Sequence, residues 1–457
     1  MRQSKENKGF IYVTNYSFRF RELIKSLAEK AKESLSSKRL NKIGIFLFGS
    51  PSRQEMIDES DADIMIIREE DNEDYFLFKS EFLNLLKKEN FSKIDVPDWG
   101  NFNDCEEYLK HSITEGNQLI EAKFIYGDSF VNEFVKRLRE KYCTKERLEK
   151  VLCFQKLYFD QYYQQRTKPN VINVKYGHGG TRDFMFITWL INILDTSEGK
   201  KINFEDNFPL VYKSLSSLYE RRLIAFEDYK KYIESIDVVL ILRNEILIQN
   251  KSSEDEGLTY LDDKTVKLLY ERKIFTDNLI IDENGLKSYL LVHINNVAEL
   301  KQRVWNLFID YLYKSKGIQW TKKFETFVKG DFSLKELENM KEVDELLQIA
   351  MIWNVNISKD PELFYKVFEK CKNSKSWAVL ASICCHLQCP KDVLDFIGTG
   401  TGYEKGYGYL LRIISRNKNV SKETLKKIIS NPNLEHRYKT VAETAYLKGV
   451  GKANELR

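Results

Sequence analysis

The apolar positions of this chain change period from one stretch to the next, and the changes mark out its elements. Ile43-Gly44-Ile45-Phe46-Leu47-Phe48 is a continuous apolar run that predicts a buried strand ending at Gly49-Ser50. A polar connection leads to Asp61-Ala62-Asp63, which runs directly into a second apolar strand, Ile64-Met65-Ile66-Ile67. On either side the period is that of amphipathic helices. Residues 17 to 39 put Phe20, Leu23, Ile24, Leu27, Ala28, Ala31 and Leu35 on one face, and Asp74 to Lys88 do the same with Phe78, Phe82, Leu85 and Leu86. From about 184 to 312 the pattern is helical throughout. The segment 117–128 reads as a helix closed by Gly127-Asp128.

Beyond Lys314-Ser315-Lys316-Gly317, a hinge by composition, the pattern repeats. Glu362 to Phe368, Asp392 to Ile397 and Glu423 to Ile429 are similar helices, with a weaker unit near Ser333 to Leu337. Second helices follow each, at Leu346 to Trp353, Trp377 to Leu387, Leu410 to Ser415 and Tyr438 to Tyr446. Helix pairs at this spacing predict an α-solenoid similar to HEAT-type repeats. Cys384, Cys385 and Cys389, with Cys371 nearby, fall on a repeat helix and are read as core rather than as zinc ligands. Gly398-Thr399-Gly400-Thr401-Gly402 follows a repeat helix instead of a strand and is read as a connection.

The fold class expected is therefore α+β: a small sheet with flanking helices, an all-α domain and a solenoid, over residues 1–130, 131–314 and 318–457. The 457 residues suffice for several cores, and seven prolines fit a mostly helical chain. A net charge of +4 names no partner, although residues 401 to 457 carry twelve Lys and Arg against five Asp and Glu. No apolar run approaches the ~18 residues of a membrane span. The first ten residues lack a secretory core, and an odd seven cysteines without framework spacing fit a reducing cytoplasm.

The candidate chemistry lies where the two strands meet. A strand has a period of two, so Asp61 and Asp63 share a face. Two adjacent carboxylates repel unless a cation sits between them, and Mg²⁺ suits a site made of carboxylates plus substrate phosphates. Gly49 allows close backbone approach, and the amides around Gly49-Ser50 suit phosphate oxygens. A phosphate cradle beside a metal pair is the equipment of nucleotidyl transfer. A second basic cluster, Lys175-Tyr176-Gly177-His178-Gly179-Gly180-Thr181-Arg182-Asp183, reads as a flexible loop before a helix N-terminus. It brings Lys175 and Arg182 to an end that favours anions, or else fixes a contact between domains.

The Gly-Ser, spacer, Asp-x-Asp arrangement resembles the polymerase-β-like nucleotidyltransferase superfamily. Through Gly49, Arg53, Glu55, Ser60, Asp61 and Asp63 it is most similar to the uridylyltransferases that modify PII signalling proteins, with Ser50 where that family usually has Gly. The Asn117 to Asp128 segment and the Lys175 to Asp183 segment resemble the same family, with His178 in place of its usual Pro. The likeness spans residues 20 to about 312.

It implies two Mg²⁺ ions (or Mn²⁺ in their place) held by Asp61, Asp63 and a third carboxylate, Asp95, with Asp98 the alternative. Asp95 would also serve as base. Gly49, Ser50, Arg53, Lys175 and Arg182 would bind the nucleoside triphosphate, and Glu121 would be a structural partner of a basic residue. The reaction implied is transfer of UMP or AMP to an acceptor hydroxyl on a protein bound by the repeats, with an RNA end or a non-catalytic scaffold as alternatives. None of the five histidines precedes an Asp, so the phosphohydrolase motif of the full-length uridylyltransferases has no counterpart, and neither do their sensor modules.

Overall fold

The computed structural model describes residues 8–35, 40, 42–57, 60–89, 94–96, 98–111, 118–119, 121–164, 172–200, 209–250, 260–277, 280–329, 343–354, 356–357, 360–374, 376–400, 407–434 and 436–450. In chain order the first elements are α1 (Lys8–Glu33), β1 (Ile43–Leu47), α2 (Gly49–Arg53), β2 (Ala62–Arg68), α3 (Glu73–Leu86), β3 (Ile94–Asp95), β4 (Asp98–Asn101), α4 (Phe102–His111), β5 (Lys123–Gly127), α5 (Ser129–Tyr142) and α6 (Lys145–Gln164). A predominantly helical stretch follows: β6 (Ile172–Asn173), α7 (Thr181–Ser197), α8 (Leu210–Glu220), α9 (Phe226–Asn250), β7 (Tyr260–Leu261), α10 (Asp263–Glu271) and α11 (Glu283–Lys316). The last helices are α12 (Ile318–Lys329), α13 (Glu345–Ile352), α14 (Pro361–Cys371), α15 (Trp377–Cys385), α16 (Lys391–Gly400), α17 (Tyr407–Arg416), α18 (Lys422–Ser430) and α19 (His436–Lys448).

These elements form two compact units. The first comprises Met1–Asp104, Asn117–Lys145 and Arg166–Phe308, and the second comprises Cys105–Gly116, Glu146–Gln165 and Ile309–Arg457. The architecture is α+β, a small mixed sheet set among many helices.

In the first unit β1 runs antiparallel to both β2 and β5, while β3 and β4 run parallel to β2. Ala62, Ile64 and Ile66 of β2 join Ile43, Ile45 and Leu47 of β1 in a core closed by α1 and α3. Phe20, Ile24, Leu27, Ala28 and Ala31 of α1 supply one side of it and Tyr75, Phe78, Phe82 and Leu86 of α3 another. Both helical stripes are those read from the sequence. Asn72 caps α3 by accepting the Tyr75 N–H.

Two elements differ from expectation. The first helix starts at Lys8 rather than near residue 17, because its N-terminus is capped from far away: Asp237 on α9 accepts the Phe10 N–H at 2.6 Å. Residues 36–39 lie outside the described residues. The stretch ending at Gly127 is a strand instead of a helix. Lys123 to Gly127 pair with β1, and Asp128 then caps α5 by accepting the Phe130 N–H. Pairing with an already buried strand outweighs local helix propensity there.

In the second unit helices starting at Pro361, Lys391 and Lys422 alternate with helices starting at Trp377, Tyr407 and His436. The second helices stack in series, α13 on α15, α15 on α17 and α17 on α19. Gly317, with φ +89°, breaks the chain between α11 and α12. The expected unit near Ser333 lies outside the described residues. Cys371, Cys384 and Cys389 are buried, and burial pushes their thiols upward, Cys371 to about 12. Among the described residues no group of three His, Cys, Asp or Glu is placed to hold a metal. No described helix is long and apolar enough to cross a membrane.

Candidate active site

The register of β1 against β2 builds the centre of the site. Leu47 opposes Ile64, and one step further the Phe48 N–H donates to the Asp63 carbonyl at 3.3 Å. Gly49 therefore arrives beside Asp63. It takes φ +63°, and a Cβ there would collide with the Asp63 carboxylate and come within 3.1 Å of Cγ. Only glycine lets the chain turn left-handed and pass this close to a carboxylate.

Since Ala62, Ile64 and Ile66 face the core, Asp63 lies on the opposite face, and by the same alternation so does Asp61. Asp61 is 7% exposed and Asp63 half-buried. On the other side of β2, Asp95 is the Cα partner of Asp63, whereas Asp98 pairs with Ile66, further from Gly49. Of the two candidates for a third carboxylate, the register puts Asp95 beside the pair. The donor set fits a hard divalent cation. Two carboxylates share one face at the mouth of a turn whose glycine leaves room for nothing larger than hydrogen.

From Gly49 the chain makes a single helical turn, α2, which ends at Gln54 with φ 61°. The Ser52 hydroxyl donates to the Gly49 carbonyl, and the Glu55 N–H donates to the Ser50 carbonyl at 2.9 Å. Ser50 thus sits at the start of the turn, and Arg53 at its far end. The Arg53 guanidinium is engaged by carboxylates: its Nε donates to Glu55 at 2.9 Å and Nη1 to Glu121 at 2.7 Å. Glu121 also accepts the Trp189 indole N–H at 3.3 Å. The structural role expected for Glu121 is what these bonds describe. Burial alone would lower the Arg53 pKa, but Glu121 and Glu55 outweigh it and the net shift is upward. Burial raises Glu121 against the pull of Arg53. Arg53 does not release its proton near neutrality, so the cluster keeps its guanidinium charge.

Sequence reasoning missed Arg243. It lies on α9, 4% exposed, and its Nη1 donates to the Glu55 carbonyl at 3.1 Å. Burial lowers its pKa to about 10, helped by Arg53 and Arg182 and opposed by Glu55 and Tyr176. No local pattern announces such a residue. Its sequence signal is an arginine directly after an apolar helical run, Val238 to Leu242.

The basic loop before α7 is pinned rather than flexible. Asn173 Oδ1 accepts the N–H groups of Lys175 and Tyr176, and Gly177 and Gly180 close consecutive turns. Asp183 accepts the Gly179 N–H and pairs with Lys301 at 2.8 Å, which makes it a contact-fixing residue. Lys175 Nζ and Arg182 Cζ both lie over the Tyr176 ring, 5.2 and 5.5 Å from its centroid. Lys175 is buried, and the buried Nε of Arg182 has no hydrogen-bond partner among the described residues. Arg182, like Arg53, lies within electrostatic reach of Arg243.

Comparison with known families agrees with this geometry in two places. Residues 29–124, which carry β1 to β4 and the Asp61/Asp63 pair, match the family model for the polymerase beta nucleotidyltransferase domain. Residues 159–270, which carry the basic loop, α7, α8 and α9, match that of the GlnD PII-uridylyltransferase. A comparison with curated proteins finds no significant match.

Proposed function

From a nucleotidyltransferase-type segment joined to a uridylyltransferase-type segment, we propose that this chain transfers UMP or AMP from a nucleoside triphosphate to a protein hydroxyl, releasing pyrophosphate. The observation that carries the reading is the placing of the Asp63 carboxylate against Gly49, at the start of α2. The register of Asp95 beside Asp63 supports it.

Asp61 and Asp63, with Asp95 as third carboxylate, would hold Mg²⁺, which when bound polarises the α-phosphate and neutralises charge on the departing pyrophosphate. The chain's own residues do the rest. Asp95 takes the proton of the acceptor hydroxyl as the new oxygen–phosphorus bond forms. The bond from the α-phosphorus to the bridging oxygen breaks, and the main-chain amides and hydroxyl at Gly49-Ser50 hold the leaving phosphates. Lys175 and Arg182 lend positive charge to the triphosphate. Arg53, committed to two carboxylates, serves by holding α2 in place. The helix pairs of the second unit form a repeat surface for the acceptor protein.

The test is incubation of the full chain and its Asp61→Ala/Asp63→Ala variant with cell lysate, Mg²⁺ and each α-³²P-labelled nucleoside triphosphate in turn. Label on a discrete protein band, absent with the variant, is the expected result, and it names the base. Label confined to RNA would move the acceptor to a nucleic-acid end. No label and no pyrophosphate would leave a scaffold without the chemistry.

A further inference from the structure

A five-residue helix has little strength of its own, because the cost of fixing the first turn is met by few hydrogen bonds. Yet α2 must present Gly49 and Ser50 in one orientation if it is to receive phosphates. Its support comes from outside. Glu55, immediately after α2, is bonded in three ways. Its N–H reaches back to the Ser50 carbonyl, its carboxylate accepts from Arg53, and its carbonyl accepts from Arg243. Arg53 continues the chain of contacts to Glu121, and Glu121 to Trp189. Arg243 and Trp189 lie on α9 and α7, within the segment matched by the uridylyltransferase family model. All five side chains are buried.

We infer that this buried relay, Trp189–Glu121–Arg53–Glu55–Arg243, sets the orientation of the Gly49-Ser50 turn, so that the helical segment is a working part of the nucleotide site. Arg243 and Trp189 are positioning residues that act through Glu55 and Glu121 on α2. The inference rests on the nucleotidyl-transfer reading above. Arg53 itself is a poor probe, since its loss leaves Glu55 and Glu121 facing each other without a counterion. Arg243 is a better one. Its Nη1 donates to the Glu55 carbonyl, a bond that the ammonium of a lysine can also donate.

The experiment measures binding of α,β-methylene-UTP and α,β-methylene-ATP, each with Mg²⁺, by calorimetry to the full chain and to Arg243→Met, Arg243→Lys and Trp189→Phe, with a thermal melt for each. A misplaced turn should weaken the nucleotide bound by the wild type about 10-fold or more in Arg243→Met. Arg243→Lys should recover most of that affinity. Trp189→Phe, which loses one long hydrogen bond, should lose about threefold. If Arg243→Met does not fold, Trp189→Phe and Glu121→Gln carry the test, and unchanged affinity in both overturns the inference. A folded Arg243→Met that binds as the wild type does, or that lysine fails to rescue, overturns it as well. Failure of the wild type to bind either nucleotide would strike the functional reading instead.

Discussion

Buried polar groups are handled differently in the two units. In the first, buried charges meet one another: Arg53 with Glu55 and Glu121, Asp183 with Lys301, and Arg221 with Asp195. In the second, Glu149 makes one such pair with Lys316, but several buried polar side chains reach main-chain carbonyls. Asn354 donates to Phe327, Asn417 to Cys384 and His386, and Ser382 and Ser415 to the preceding turn of their own helices. Buried ion pairs are a costly way to gain stability, whereas amides bridging loop carbonyls are a cheap way to stack repeats. The first unit therefore has the marks of a site held in one geometry, and the second those of a scaffold.

The sharpest way to break this contrast is at the carboxylates. Asp61→Asn and Asp63→Asn should each lower transfer about 10³-fold or more while leaving the melting transition in place. Parallel activity assays and melts check this. Gly49→Ala comes next. Its methyl group meets the Asp63 carboxylate at a left-handed backbone position, and a loss of about 100-fold in kcat/KM is expected.

Stability separates the units further down the scale. Arg53→Met strands two buried carboxylates and should cost about 3–5 kcal/mol in denaturant unfolding. Asn417→Leu strands two carbonyls in the second unit and should cost about 1–3 kcal/mol.

A further effect depends on pH. Burial lowers His386, 1% exposed and packed between Trp353 and Phe364, to about 4. Its Nδ1 accepts the Gln388 N–H, the arrangement of a neutral ring. The unfolded chain binds the extra proton first. The stability from neutral burial is therefore complete above pH 6.5 and is lost as pH falls toward 4, by about 3 kcal/mol at most. Urea titrations of the wild type and His386→Phe across that range should diverge in slope only for the wild type.

What could be read from the sequence was local. The run from Ile43 to Phe48 and the alternation through Asp61, Asp63 and Ile64 to Ile67 carry their own period, so both strands and the carboxylate pair were visible. The recurring helices at Pro361, Lys391 and Lys422 were visible for the same reason. Long-range contacts were not. The start of α1 depends on Asp237, and the conversion of Lys123 to Gly127 into a strand depends on β1. The bond from Arg243 to the Glu55 carbonyl spans 188 positions and leaves no spacing to notice. The loop around Gly177, Gly179 and Gly180 looked flexible because its pins, Asn173 and Asp183, are ordinary residues whose bonds appear only on folding.

The central claim is that Asp61 and Asp63 hold a divalent cation against the turn at Gly49-Ser50. Its most direct test is a crystal of the full chain grown with Mn²⁺ and a non-hydrolysable nucleoside triphosphate, read by anomalous scattering. The expected result is a manganese peak between the Asp61 and Asp63 carboxylates, with phosphate oxygens at the Gly49-Ser50 amides, and loss of that peak in Asp63→Asn. Nucleotide bound elsewhere, or the same peak persisting in Asp63→Asn, would contradict it.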